Sequence, residues 1–448
     1  MRKNLIQVFC FIFLYVSINI VVASSIEDEY LKEANKYYIN SRFDKAIEFY
    51  SKAIEINPDF AEAYYNRGKC YQYKNNHEKA IEDFAKAQKT DEKYKNILTE
   101  LSRDYYRIDQ FKIAILYLNK AIEIQSDQQE LFYLRATSFR LIDEYDKALQ
   151  DYDTAIELDS EYVDAYNGRG IIYSNKNEYE KAINDYVKAI KSDPTYKYAY
   201  NNRGLVYKKQ KLYDDAIRDF CQVLLFDKQY VSAYYNRGIC YYYKGLYEMA
   251  LLDFQKVINL NKNDYYAYTF LGACYLYTEN YKDVMNILDK AVKINPKNDV
   301  AYIYKGMYYY FFNDYKRAVN YLQKAIELNP KFSYSYFLQL VISFKISRSH
   351  FIKSLETLNK NKEKFKDNNL EYQIALFMNN DSSIDELITK AEDNNFKLCV
   401  VYSAIGYKYL FDGDIIRAKE FFQKSIDLKA FEFYGYELVR KEISCFEK

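Results

Sequence analysis

The chain has 448 residues with 64 basic and 63 acidic side chains, a formal charge of +1, 54 tyrosines, 29 phenylalanines and no tryptophan. So even a balance argues against nucleic acid as the main partner, because phosphate binding draws on a basic surplus. With only two histidines, His77 and His350, far apart in the chain, acid–base and metal chemistry lack their usual groups.

At the N-terminus, Arg2 and Lys3 precede an apolar run from Leu5 to Val22 that ends Val21-Val22-Ala23-Ser24-Ser25. This pattern reads as a secretory signal peptide over residues 1–23, cut after the small Ala23, and places the protein in the periplasm or outside the cell. The run is also at the lower length limit for spanning a bilayer, so anchoring by residues 5–22 without cleavage is the alternative, and the only expected link to a membrane. Cys10 lacks the flanking small residues of a lipoprotein signal. Removing residues 1–23, which hold two bases and no acids, takes the net charge from +1 to −1.

All four prolines, Pro58, Pro194, Pro296 and Pro330, are separated by multiples of 34 residues. Proline cannot continue a helix and pushes its predecessor out of helical geometry, so the lattice marks a break once per unit. Unused marks fall in or directly beside the polar runs Thr90-Asp91, Ser126-Asp127, Asp159-Ser160, Asp227-Lys228 and Asn261-Asp264. Nine units over residues 27–332 follow, starting at Glu27, Ala61, Lys95, Gln129, Val163, Lys197, Val231, Tyr265 and Asp299. Within each, aromatic or large apolar residues at positions 4 and 11 and a small residue at position 8 lie on one helical face. Ala46, Ala80, Ala114 and their counterparts at position 20, with a large residue four later, define a second helix. Position 8 holds Gly68, Gly170, Gly204, Gly238, Gly272 and Gly306, which implies close helix approach near the position-20 alanine. Acids at the starts of second helices and lysines near their ends suit the helix macrodipole.

The run Tyr64-x2-Arg67-Gly68-x2-Tyr71, then Ala80-x3-Phe84, resembles the tetratricopeptide repeat family. The resemblance covers residues 27–332 and returns at 399–432, where Tyr402, Gly406, Tyr409, Ala418 and Phe422 keep the offsets. It implies an all-α fold, a right-handed α-solenoid of stacked antiparallel helix hairpins. Tyrosine replaces the family's first tryptophan in most units. A second departure is more informative. The residue before the small position 8 is arginine in five units, Arg67, Arg135, Arg169, Arg203 and Arg237, and those units alone carry aspartate at position 23: Asp83, Asp151, Asp185, Asp219 and Asp253. Elsewhere position 23 is Phe49, Tyr117, Ile287, Tyr321 or Phe421. An ion pair within each hairpin explains the matched aspartates, which a groove for an acidic peptide would not require.

Residues 333–398 lose the lattice but keep helical runs at Tyr334–Ile346, Phe351–Leu358, Leu370–Met378 and Ile384–Ala391, read as degenerate hairpins with a hinge at Asn359–Asn369. Ser383 and Glu386 form a capping-box signal. Residues 433–448 read as a capping helix that covers the last apolar face. Cys70, Cys240 and Cys274, all at position 10, read as free core thiols, while Cys399 and Cys445 are expected to be more open. Asp412-Gly413-Asp414 reads as a turn rather than a calcium loop, since the remaining ligands are missing.

With no catalytic, cofactor-binding or metal constellation, the reading is a non-enzymatic scaffold. The resemblance implies a concave face lined by positions 2, 5, 9, 12 and 13 of the first helices, binding an extended peptide or a helix of another protein. In the later repeats this selects Tyr235, Ile239, Tyr242, Tyr243, Tyr266, Tyr277, Ile303, Met307 and Tyr310; in the earlier ones it includes Lys69, Arg103, Arg107 and Arg140. Two ends of different ligand chemistry are therefore expected. Asn66, Asn202 and Asn236 stand where the family's carboxylate clamp has asparagine, but no matching basic set surrounds them. The alternative function is a structural subunit of a cell-envelope assembly, held by other faces.

Overall fold

A computed structural model describes residues 26–330, 333–361, 369–378, 380–391, 394–429 and 436–446. The signal segment and most of the expected hinge lie outside them. Among the described residues the chain is helical throughout and divides into two compact units, 1–199 and 200–448.

In the first unit, helices α1 (26–39), α2 (Phe43–Ile56), α3 (Ala61–Tyr73), α4 (His77–Thr90), α5 (Ile97–Arg107), α6 (Phe111–Ile124), α7 (Gln129–Leu141), α8 (Tyr145–Leu158), α9 (Val163–Asn175) and α10 (Tyr179–Ser192) form five consecutive hairpins. The third is irregular. A 3-10 turn at Glu92–Tyr94 delays α5 and buries Tyr94.

The division falls near the start of α11 (Lys197–Lys209). The second unit continues with α12 (Tyr213–Phe226), α13 (Val231–Tyr243), α14 (Tyr247–Leu260), α15 (Tyr265–Tyr277), α16 (Val284–Ile294), α17 (Asp299–Phe311) and α18 (Tyr315–Leu328). After these come α19 (Ser333–Phe344), α20 (Arg348–Asn361), α21 (Asn369–Met378), α22 (Ile384–Thr389), α23 (Asn395–Phe411), α24 (Ile415–Asp427) and α25 (Tyr436–Phe446). Ser383 and Glu386 make a complete capping box on α22.

Local chemistry sets both ends of each hairpin. Position 15, between the two helices, is in the left-handed region in every regular repeat: Ser41, Asn75, Asp109, Asp143, Asn177, Lys211, Gly245, Glu279, Asn313 and Gly413. The next N–H then reaches back to the carbonyl of the position-11 aromatic, as from Asn76 to Tyr71 and from Asp314 to Tyr309, which closes the first helix. At the second helix's end, Asn57, Asp91, Asp159, Asp193, Asp227, Asn261 and Asn295 are extended, and each side chain accepts the N–H two residues on. These Asx turns make the break, and proline follows in only some of the units.

The position-8 glycines answer mainly to the side chain at position 24, and at Gly306 a Cβ would also meet the position-20 alanine, 3.2 Å from the Ala318 carbonyl oxygen. A Cβ on Gly68 would sit 2.8 Å from the Phe84 ring, and one on Gly406 2.5 Å from Phe422, so the position-24 side chain sets the requirement.

Candidate functional site

All five arginines of the Arg–Asp pattern grip the aspartate of their own hairpin with two parallel bonds. Arg203 Nε donates to Asp219 Oδ2 at 2.8 Å and Nη2 to Oδ1 at 2.7 Å. Arg67–Asp83, Arg135–Asp151, Arg169–Asp185 and Arg237–Asp253 repeat the geometry at 2.7–2.9 Å. The aspartate side chains are only 2–8% exposed and the arginines 15–20%. Burial pushes the carboxyls of Asp83, Asp219 and Asp253 upward despite the facing guanidinium, while the aspartates hold Arg67, Arg203 and Arg237 above the usual range.

The same arginines also look backwards. Through Nη1, Arg67 reaches Ser51 Oγ (2.8 Å), Arg135 reaches Asn119 Oδ1 (2.9 Å), Arg169 reaches Asp153 Oδ1 (2.5 Å) and Arg237 reaches Cys221 Sγ (3.2 Å). Each acceptor lies 16 residues earlier, at position 25 of the preceding repeat. Position 7 keeps this backward link without arginine: Lys305 pairs with Asp289, and Gln339 Nε2 donates to Gln323 Oε1 at 3.0 Å. With no aspartate ahead of it, the Lys305 ammonium lies over the Tyr321 ring, 5.2 Å from its centre. Polar residues recurring at position 25 were the sequence signal for this link. Position 7 therefore fastens one hairpin to the next, a structural duty that also accounts for its charge.

Of the aromatic face residues, four are covered. Tyr242, Ile303, Met307 and Tyr310 are 0–2% exposed, and Ile239 is nearly so. Packing among first helices takes Tyr242, Ile303 and Met307 beneath the surface, with Tyr242 Oη and Tyr304 Oη sharing a hydrogen bond at 2.8 Å that joins α13 to α17, while Tyr310 lies under α25 (Tyr436–Phe446). These residues cannot meet a partner while the helices stay packed, which corrects the expectation from helical phase alone. Tyr235, Tyr243 and Tyr277 are half-buried and Tyr266 is 50% exposed. Tyr243 and Tyr277 lie against the buried Tyr242 at ring separations of 5.6 and 6.1 Å, whereas Tyr266 is tilted against Tyr265 at 4.1 Å. A polar group borders them. Lys208 Nζ donates to Asn236 Oδ1 at 2.5 Å, and burial holds this ammonium below the ordinary lysine value. The sequence shows no matching basic set around Asn236, and in the structure one lysine, Lys208, reaches it.

In the first unit the four basic residues do not form one patch. Arg103 pairs with Glu130 at 2.5 Å and Arg107 with Asp104 at 3.2 Å, while Lys69 lies over the Tyr65 ring at 5.1 Å. The Arg140 Nε is buried without a hydrogen bond among the described residues. An open cleft of about 600 Å³ beside the irregular third hairpin is lined by Glu62, Glu100 and Asp104 as well as Lys69 and Lys95. Acids beside these bases give this face mixed charge rather than one cationic patch.

Other sequence candidates have local explanations. His77 Nδ1 is 3.2 Å from Tyr105 Oη, and His350 Nδ1 is 2.8 Å from Ser347 Oγ. No metal-competent cluster occurs among the described residues. Asp414 caps α24 by accepting from Arg417 N, with Gly413 at φ +84°. The described cysteines are all free thiols. Cys399 is fully buried, contrary to expectation, with Sγ 3.1 Å from Ser425 Oγ; Cys445 is exposed. No described helix is long and apolar enough to cross a membrane.

Stacked helix hairpins with a 34-residue period, closed by the same turn chemistry each time, define a helical repeat protein. Models described as TPR repeat match residues 34–75, 136–177 and 172–211, and those described as tetratricopeptide repeat match 61–94, 198–230, 231–264, 265–298 and 300–332. Together they cover more than half of the chain, which belongs to the tetratricopeptide repeat family. Proteins of this family are generally protein-interaction scaffolds, and the fold is typically non-catalytic. No curated protein matches the chain. Among solved structures it is similar to YrrB, described as a TPR protein with an unusual peptide-binding site, at 27% identity over 41% of this chain and 95% of that one (TM-score 0.38). It is similar also to a tetratricopeptide repeat protein from Parabacteroides merdae (21% identity, 56% of this chain, 98% of that one, TM-score 0.41) and to yeast Tom70 (16%, 94%, 96%, 0.40).

Proposed function

We propose that the chain is an exported, non-enzymatic scaffold that holds a peptide segment or helix of another protein on the first-helix face of its second unit. One observation carries this reading: Tyr235, Tyr243, Tyr266 and Tyr277 stay partly open on α13 and α15, alongside the Lys208–Asn236 pair. Tyrosine presents a large apolar ring and a hydroxyl at modest entropic cost, which suits an interface anchor. Export rests on the charge and apolar pattern of residues 1–23, with membrane anchoring by residues 5–22 as the alternative.

The test is capture of partners from the native cell by the wild-type chain and by a Tyr243→Ser/Tyr266→Ser double variant. Loss of one defined partner at unchanged melting temperature supports the reading. Identical capture by both refutes it and favours a subunit of an envelope assembly.

A further inference from the structure

Helix α25 does more than close the array. It packs on α24, with the Phe446 ring 6.2 Å from that of Phe422, as a terminal cap would. It also reaches α17, more than 120 residues earlier. Tyr310 Oη donates to Glu442 Oε1 at 2.6 Å, and Lys345 Nζ donates to Oε2 at 2.8 Å, with Glu442 only 2% exposed. The adjacent Lys441 Nζ donates to the carbonyls of Tyr310 (2.9 Å) and Phe311 (3.2 Å) and to Asn313 Oδ1 (3.1 Å), at the negative end of α17. Leu438 and Val439, one turn earlier, are buried.

Covering an apolar face needs only apolar side chains. A buried charged group is often replaceable by apolar side chains at little cost, so stability alone does not account for Glu442, whose two directional bonds do define one register for α25. Tyr407, on α23 in the same cluster, is buried beside Tyr310 and Glu442 and adds a third wall, bearing a hydroxyl, to the pocket. Helical phase assigns Tyr310 to the partner-binding groove, and in the structure α25 of the same chain covers it.

We propose that the pocket built by Tyr310, Lys345 and Tyr407 is a helix-binding site, held closed by α25, and that its external ligand is a partner helix with adjacent lysine and glutamate beside an apolar turn. This deepens the scaffold reading, since both put a partner on first-helix faces. Tethering gives α25 a high effective concentration, so an outside helix competes only when the internal one is weakened.

The probe is a fluorescein-labelled peptide of the α25 sequence, Tyr436–Phe446, titrated into the full chain with anisotropy as readout. Glu442→Lys in the chain should release α25 and tighten peptide binding at least about tenfold over wild type. A peptide carrying the same reversal should not bind, and adding Lys345→Glu to the Glu442→Lys chain should return binding to the wild-type level. Should Glu442→Lys fail to fold, Glu442→Gln takes its place with the same expected direction. Absence of saturable binding to the folded variant, or equal binding of the charge-reversed peptide, overturns the proposal. No cellular partner enters this assay, so its failure leaves the tyrosine face untouched, and failure of partner capture leaves this site standing.

Discussion

Removing Arg203 would leave Asp219 with a side chain 6% exposed and neither of its two charge-assisted hydrogen bonds. Breaking one half of a buried pair costs about 3–5 kcal/mol, because the remaining charge is neither solvated nor matched. Asp219→Ala strands the guanidinium instead, which is 18% exposed and can turn partly to water, so its cost belongs at the lower end of that range. Arg203→Ala/Asp219→Ala removes both charges and leaves mainly lost packing, so the double loss should fall short of the sum of the single losses by at least about 2 kcal/mol. Arg203 suits this cycle because Val187, with no acceptor, stands at position 25 of the preceding repeat, whereas Arg169 also holds Asp153. Urea denaturation of the four proteins measures the coupling. A value within about 0.5 kcal/mol of zero would refute pairing as the reason for the matched residues.

Gly406→Ala should destabilise by about 1–3 kcal/mol, since the new methyl must displace the Phe422 ring, and thermal melting would show it. Gly413→Ala has open space and loses only the left-handed preference, roughly 1 kcal/mol. Burial pushes the thiols of Cys70 and Cys240 up to about 12 and that of Cys399 to about 11, so iodoacetamide at pH 8 should label Cys445 well before these three in the native chain. The same raised values fix the sign of a pH effect. The unfolded chain releases thiol protons first, so stability is full below about pH 9 and declines as pH rises toward 12, measurable as a falling urea midpoint.

The repeat is legible in the sequence because its determinants are local: Asn57 or Asp193 ends a second helix with its own side chain, and the ring of Phe84 or Phe422 forces the glycine 16 residues earlier. The Arg–Asp exchange is legible for a similar reason, since bidentate geometry couples two fixed positions. Position 15 is harder to read: Lys211 and Glu279 adopt left-handed backbone that their side chains do not advertise, under the hold of the helix-closing hydrogen bonds. Helical phase separated the first-helix face from the rest, yet could not say that Tyr242 and Met307 lie under their neighbours, because that depends on how closely successive hairpins stack. Least legible is the Tyr310–Glu442 bond, which joins a repeat position to a helix outside the repeat and so leaves no periodic trace. The burial of Cys399 is equally hidden, since it comes from contact with Ser425 across the last hairpin.

The central claim is that a partner sits on the first-helix face of the second unit, and site-specific photo-crosslinking in the native cell tests it most directly. One crosslinker replaces Tyr243, half-open on α13, and in a matched chain another replaces Lys256, exposed on α14 of the same hairpin. Capture of one defined protein from position 243 and none from 256 is the predicted result. Capture from 256 alone, or equally from both, would contradict it.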